Sequence, residues 1–117
     1  GHLHPGLTTS EILPSMRERK ARMIEAADAF IALPGGIGTL EEFMEVWTLN
    51  QLGEITKPLG LYNVEGYYDP FMQFIDSMIA RKSLPETHRH SIVVSGVPED
   101  LVEGLRALEP ITTAKWM

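Results

Sequence analysis

Residues 29–42 read Ala29-Phe30-Ile31-Ala32-Leu33-Pro34-Gly35-Gly36-Ile37-Gly38-Thr39-Leu40-Glu41-Glu42. The opening run, 29–33, is apolar throughout, the pattern of a strand buried on both faces of a parallel sheet. Pro34 and the glycines that follow end it. Thr39-Leu40-Glu41-Glu42 matches the S/T-x-x-E capping box, in which side chains satisfy free backbone N–H groups at a helix start. Leu40, Phe43, Met44 and Trp47 then recur at i, i+3, i+4 and i+7, one apolar stripe. Gly53 supplies a stop. A buried strand, a glycine-rich turn and an amphipathic helix form the first half of a βαβ unit.

The same grammar extends outward. Ser15-Met16-Arg17-Glu18 is another capping box and predicts a helix from there to about Ala27, after an irregular stretch over 1–14. Downstream, 58–62 (PLGLY) and 91–95 (SIVVS) read as further strands. Phe71, Phe74, Ile75, Met78 and Ile79 predict a helix over 68–81, with Asp69-Pro70 as its N-cap and first helical residue. A last helix is expected near 99–108. Residues 84–90 read as polar and irregular, and the tail from Pro110 as loosely ordered. Strands alternating with helices imply a Rossmann-like α/β fold, a parallel sheet covered on both faces through right-handed crossovers. Val46 and Leu49 fall off the main stripe of their helix, an arrangement expected if that helix also packs on a partner subunit.

Composition bounds the function. The chain has 117 residues, a formal net charge of −6 and 44% apolar residues, which suits one globular domain. The absence of cysteine excludes disulfides, thiolate nucleophiles and Cys-based zinc sites. A pI of 5.1 argues against broad binding to nucleic-acid backbones. No apolar run approaches the ~18 residues of a membrane helix, and no secretory signal pattern opens the sequence. The expectation is a cytoplasmic domain that binds neither nucleic acid nor membrane. His2 and His4 sit at a terminus, His88 and His90 flank Arg89 in a polar segment, and no metal site is expected. There is no HExxH, no Ser or Cys nucleophile motif, and no lysine in a Schiff-base context.

Ligands of such sheets bind beyond the carboxyl ends of the strands, where 33–42 lies. Gly35, Gly36 and Gly38 allow close backbone approach, and the helix that follows offers free N–H groups to an anion. Thr39 can add a hydroxyl. The loop is neither GxGxxG nor a P-loop, which would carry a lysine. Two readings stand at this level: a phosphate cradle, or a tight turn into a capped helix in which Glu42 simply bonds the Thr39 N–H. Upstream, Arg17, Arg19, Lys20 and Arg22 crowd one helix against Glu18 and Glu25. They form a solvated charged face, or one or two of them reach an anion at the loop.

Taken together, Ser15 to Met23 and Asp28 to Glu42 resemble the LOG ("Lonely Guy") family of nucleoside 5′-monophosphate phosphoribohydrolases, known for cytokinin activation. The motifs M-x-x-R-K and P-G-G-x-G-T-x-x-E are both present. The likeness continues through Trp47 to Gly53, Lys57-Pro58 and Leu61 to Tyr68, and covers roughly 12–108. It implies cleavage of an N-glycosidic bond to give free base and ribose 5-phosphate, without a cofactor. By motif, Arg19 and Glu42 are the catalytic pair, Gly35, Gly36, Gly38 and Thr39 hold the 5′-phosphate, and Lys20 is a supporting cation. Some relatives bear the label lysine decarboxylase, but nothing in the sequence supports pyridoxal phosphate chemistry. The family's leading strands and an upstream glycine loop are not in this sequence, so the resemblance implies a C-terminal portion. Strands 29–33, 58–62 and 91–95 alone leave an open sheet edge, which invites a homodimer, a higher homo-oligomer or a companion segment. The alternatives are a non-catalytic nucleotide or molybdenum-cofactor carrier on the same fold, and an inactive fragment.

Overall fold

The computed structural model describes residues 9–117, with 9–14 as helix backbone only. The expected irregular residues 1–8, with His2 and His4, lie outside the described residues. Helix α1 runs Thr9–Ala26, β1 Ala29–Ala32, α2 Ile37–Gln51, β2 Leu59–Tyr62, α3 Asp69–Ala80, α4 Glu86–Arg89, β3 Ile92–Ser95, α5 Pro98–Leu108 and β4 Ala114–Trp116. A 3-10 turn, Val64–Gly66, follows β2. The strands form one parallel sheet in the order β3-β2-β1-β4. Phe30 pairs with Leu59, and Leu59 with Ile92. This is the expected Rossmann-like α/β architecture.

The run 29–33 behaves as a strand buried twice over. Phe30 and Ala32 point into the larger core, with Phe43, Val46, Trp47, Leu59, Leu61, Met72 and Ile75. Ala29 and Ile31 point the other way, onto Leu101 and Leu105 of α5. Every β1 residue is at most 1% exposed, so no polar residue could alternate in it.

Several expectations are corrected. Helix α1 starts before Ser15, which sits in its interior, so Ser15 caps nothing; the S-x-x-E pattern is local, whereas the helix extends six residues upstream. Helix α2 starts at Ile37 with Gly36 as its N-cap and no side-chain capping bond. Thr39 is therefore inside the first turn, and the expected Thr39–Glu42 capping box does not form. Its core face is Phe43, Val46 and Trp47, and Met44 faces outward. Val46 is thus fully buried within this chain, and Leu49 packs against the same core, so neither is left over for a partner. Asp69 is the first residue of α3, behind Tyr68 as N-cap. Residues 84–90 bury Leu84 and form the single turn of α4. Gly53 stops α2 as expected, at φ +76°.

The tail is the main surprise. Expected to be loosely ordered, it forms β4 and covers the edge of β1. Three residues carry too little pattern to read as a strand. What orders them is remote: the Asp28 carboxylate accepts bonds from Thr112 N at 3.0 Å, Thr112 Oγ1 at 2.8 Å and Thr113 N at 3.3 Å. The Met117 N–H then donates to Ile31 O at 2.6 Å, and Leu33 N–H to Met117 O at 3.0 Å. Ring packing of Trp116 edge-on to Tyr62 closes the contact. No helix among the described residues is long and apolar enough to cross a membrane.

Candidate active site

The glycine loop lies where β1 ends and α2 begins, at the carboxyl edge of the sheet. Its shape is fixed by close packing. The Thr39 side chain folds over Gly35, where a Cβ would overlap the Thr39 hydroxyl and lie 3.0 Å from Thr39 Cβ. Gly36 and Gly38 face open space instead. The first N–H groups of α2 have no side-chain cap, so they remain available to an anion drawn by the helix dipole. Gly35, Gly36, Gly38 and Thr39 are thus brought together in one turn.

The loop's carbonyls are held from the β2 side. Tyr67 donates its hydroxyl hydrogen bond to Gly35 O, and Tyr68 to Leu33 O at 2.5 Å. The two rings meet edge-on with centroids 5.1 Å apart. Asn63 sets this pair: its Oδ1 accepts Tyr68 N at 2.6 Å and its Nδ2 donates to Asp69 Oδ1 at 2.8 Å. Tyr68 is nearly fully buried, and burial pushes its hydroxyl pKa up, so it stays a neutral donor. No sequence motif assigned these tyrosines a role; only the contact across more than thirty residues reveals it.

The basic helix meets α2 one turn further on. Lys20 Nζ bonds Glu41 Oε1 at 2.5 Å and approaches Glu45 Oε2 at 3.6 Å. The Glu41 hydrogen bond holds the ammonium above its ordinary pKa, with both carboxylates adding attraction. Lys20 is thereby directed at α2's carboxylates and not at the glycine loop. Arg19, beside Lys20 in sequence, is exposed on α1, and Glu42 follows Glu41 on α2. Glu42 is half-buried and makes no hydrogen bond or ion pair among the described residues, so its carboxylate is uncommitted. Arg17 and Arg22 are exposed; Arg17 lines a groove of about 340 Å³ with Ala21, Ile24, Glu45, Leu49 and Lys57.

A family profile described as "Possible lysine decarboxylase" matches residues 2–105. A probable cytokinin riboside 5′-monophosphate phosphoribohydrolase of Oryza sativa subsp. japonica, LOGL2, is 43% identical over 95% of this chain and 48% of its own length. The chain belongs to the LOG family. Among other LOG relatives, the rice protein named LOG is 50% identical over 81% of this chain and 39% of its own length. Arabidopsis thaliana LOG1 is 47% identical over 90% of this chain and 50% of its own length. The chain therefore spans about half the length of the curated LOG proteins it matches.

Proposed function

We propose that this chain carries the phosphate loop and catalytic residues of a nucleoside 5′-monophosphate phosphoribohydrolase. The observation that supports it most is the Lys20–Glu41 contact, which joins the M-x-x-R-K helix to the P-G-G-x-G-T-x-x-E helix beside an uncommitted Glu42. In this reading the 5′-phosphate sits on Gly35, Gly36, Gly38 and Thr39, at the start of α2. That remote binding energy orients the ribose. The C1′–N bond then breaks, positive charge builds on the sugar, and water oxygen adds to C1′ while the base leaves with a proton. Glu42 stabilises that charge or takes the proton of water. Arg19, always cationic, grips phosphate or steadies the leaving group. Lys20 supports the junction by holding Glu41.

The curated relatives are named for cytokinin riboside 5′-monophosphates, which supports a cytokinin riboside monophosphate or AMP-like substrate. The decarboxylase reading of the family profile fits less well. A Schiff-base lysine needs a depressed pKa, and Glu41 moves Lys20 the opposite way. The protein acts as a homodimer in the cytoplasm, with apolar side chains exposed away from the loop, such as Leu52 and Phe74, available for such a contact. Light scattering checks that assembly: a monomer at all concentrations rejects it.

The test is base release from AMP and from isopentenyladenosine monophosphate. Wild-type protein releases base, and Glu42→Ala and Arg19→Ala each lose about a hundredfold or more in kcat, the scale of a positioned acid–base group. Full activity in either variant removes that residue from the catalytic pair.

A further inference from the structure

We propose that Tyr67 is a positioning residue: its hydroxyl sets the orientation of the Gly35–Gly36 peptide and so aims the Gly36 N–H at the bound anion. The inference rests on the phosphate-loop reading above. The peptide is trans, as all described peptides are, so its carbonyl and its N–H point in opposite directions. Tyr67 takes the carbonyl of Gly35. The Gly36 N–H is therefore turned away from the tyrosine, and a Cβ at Gly36 or Gly38 would meet no atom within 4 Å, so the loop is open beside it. Neither flanking residue has a side chain to resist rotation of this peptide. An external donor is what distinguishes one orientation from the other.

Tyr68 provides an internal control. It holds the carbonyl two residues earlier, that of Leu33, but the residue after Leu33 is Pro34, which has no N–H to present. The two adjacent tyrosines thus make the same kind of bond to one loop, and only one of those bonds orients an amide. Tyr67 is also half exposed, whereas Tyr68 is 3% exposed. The Tyr67 hydroxyl can therefore be removed with little effect on the core.

The experiment titrates ¹⁵N-labelled wild type, Tyr67→Phe and Tyr68→Phe with inorganic phosphate and with AMP, following the amides of residues 36–39, alongside thermal melts and base-release kinetics. Phosphate shifts those amides in the wild type. Tyr67→Phe binds phosphate and AMP about fivefold more weakly, the scale of one net hydrogen bond. Its melting point is unchanged, and KM rises while kcat holds. Tyr68→Phe melts lower and binds phosphate as the wild type does. Equal phosphate affinity in wild type and Tyr67→Phe overturns the positioning role. So does an equal weakening by Tyr68→Phe, which would mean general loosening. Loop amides that ignore phosphate in the wild type overturn it together with the phosphate-loop reading. Phosphate binding that depends on Tyr67 without base release leaves the positioning role supported and overturns the hydrolase.

Discussion

The glycine loop is gripped from both sides of β1, whereas the described contacts of the basic helix beside it include the Lys20 ion pair and the packing of Ile24. Tyr67 and Tyr68 hold the loop's carbonyls from the β2 side, and Met117 accepts the Leu33 N–H from the β4 side. Among the described side chains, α1 buries Ile24, with Met23 packed beside it and Ala27 buried just past its end. Lys57 Nζ caps its end by donating to the Ile24 and Glu25 carbonyls. Residues 15–19, including Arg19, are exposed. The difference is physical. An anion cradle made of backbone amides must be oriented in advance, because amides cannot reach for a ligand. On the proposed function, a guanidinium on a long side chain can adjust to the ligand where a backbone amide cannot.

The largest effect that tests this contrast is Phe43→Ala. Phe43 is fully buried and packs on both Trp47 and Phe71. Its removal costs about 3–5 kcal/mol, read as a lower denaturant midpoint, because it undermines the helix that the loop feeds. Ile24→Ala comes next at about 2 kcal/mol, since Ile24 keeps 8% exposure. Hydrogen exchange sharpens the comparison. Ile24→Ala speeds exchange across α1 and leaves α2 near its wild-type protection, while Phe43→Ala exposes both. Uniform loss of protection in Ile24→Ala would show that the two helices are mounted as one unit.

How much of this was legible in the sequence varies with the range of the interaction. The strand at 29–33 and the loop after it could be read because burial on two faces leaves a run with no polar residue. Arg19, Lys20, Glu42 and the glycines were legible as motif members. The capping boxes misled, because S/T-x-x-E is a local pattern and helix ends are decided by what the neighbouring chain does. Thr39 was drawn over Gly35 and not to the helix start. Met44 and Val46 exchanged their expected places because a stripe at i, i+3, i+4 leaves the rotation of the helix open by one position. Tyr67, Tyr68 and β4 act through bonds between residues more than thirty positions apart, and no window along the chain contains both partners.

A smaller effect comes from the tether between the two regions. Glu41→Gln removes the main partner of Lys20. Both side chains are partly exposed, at 26% and 50%, so stability changes by less than about 1 kcal/mol. On the proposed function, base release falls by more than that change in stability accounts for, since the contact between the two motif-bearing helices is loosened. The wild-type rate also declines with added salt, and Glu41→Gln is less salt-sensitive. Identical salt dependence in the two proteins would mean that the tether has no part in turnover.

The smallest effects are the pH limbs, and they have opposite signs in the two regions. The Thr112 hydroxyl, then the Thr112 and Thr113 N–H groups, hold the Asp28 carboxyl below its ordinary 3.8. A lowered folded value means the unfolded chain binds a proton first on acidification. The contribution of Asp28 is thus present above 3.8 and lost as pH falls through the lower folded value. Acid should therefore release β4, and with it the Met117 support of the loop, without touching α1. Lys20 works in reverse: Glu41 raises it above 10.5, so its contribution is present below 10.5 and lost as pH rises through the raised value. Exchange of the Thr112, Thr113 and Met117 amides measured down the acid limb checks the first. Asp28→Asn abolishes that pH dependence and leaves the alkaline limb in place. An acid limb that survives Asp28→Asn would locate the titration elsewhere and remove the carboxylate clasp from the account of how the tail is held.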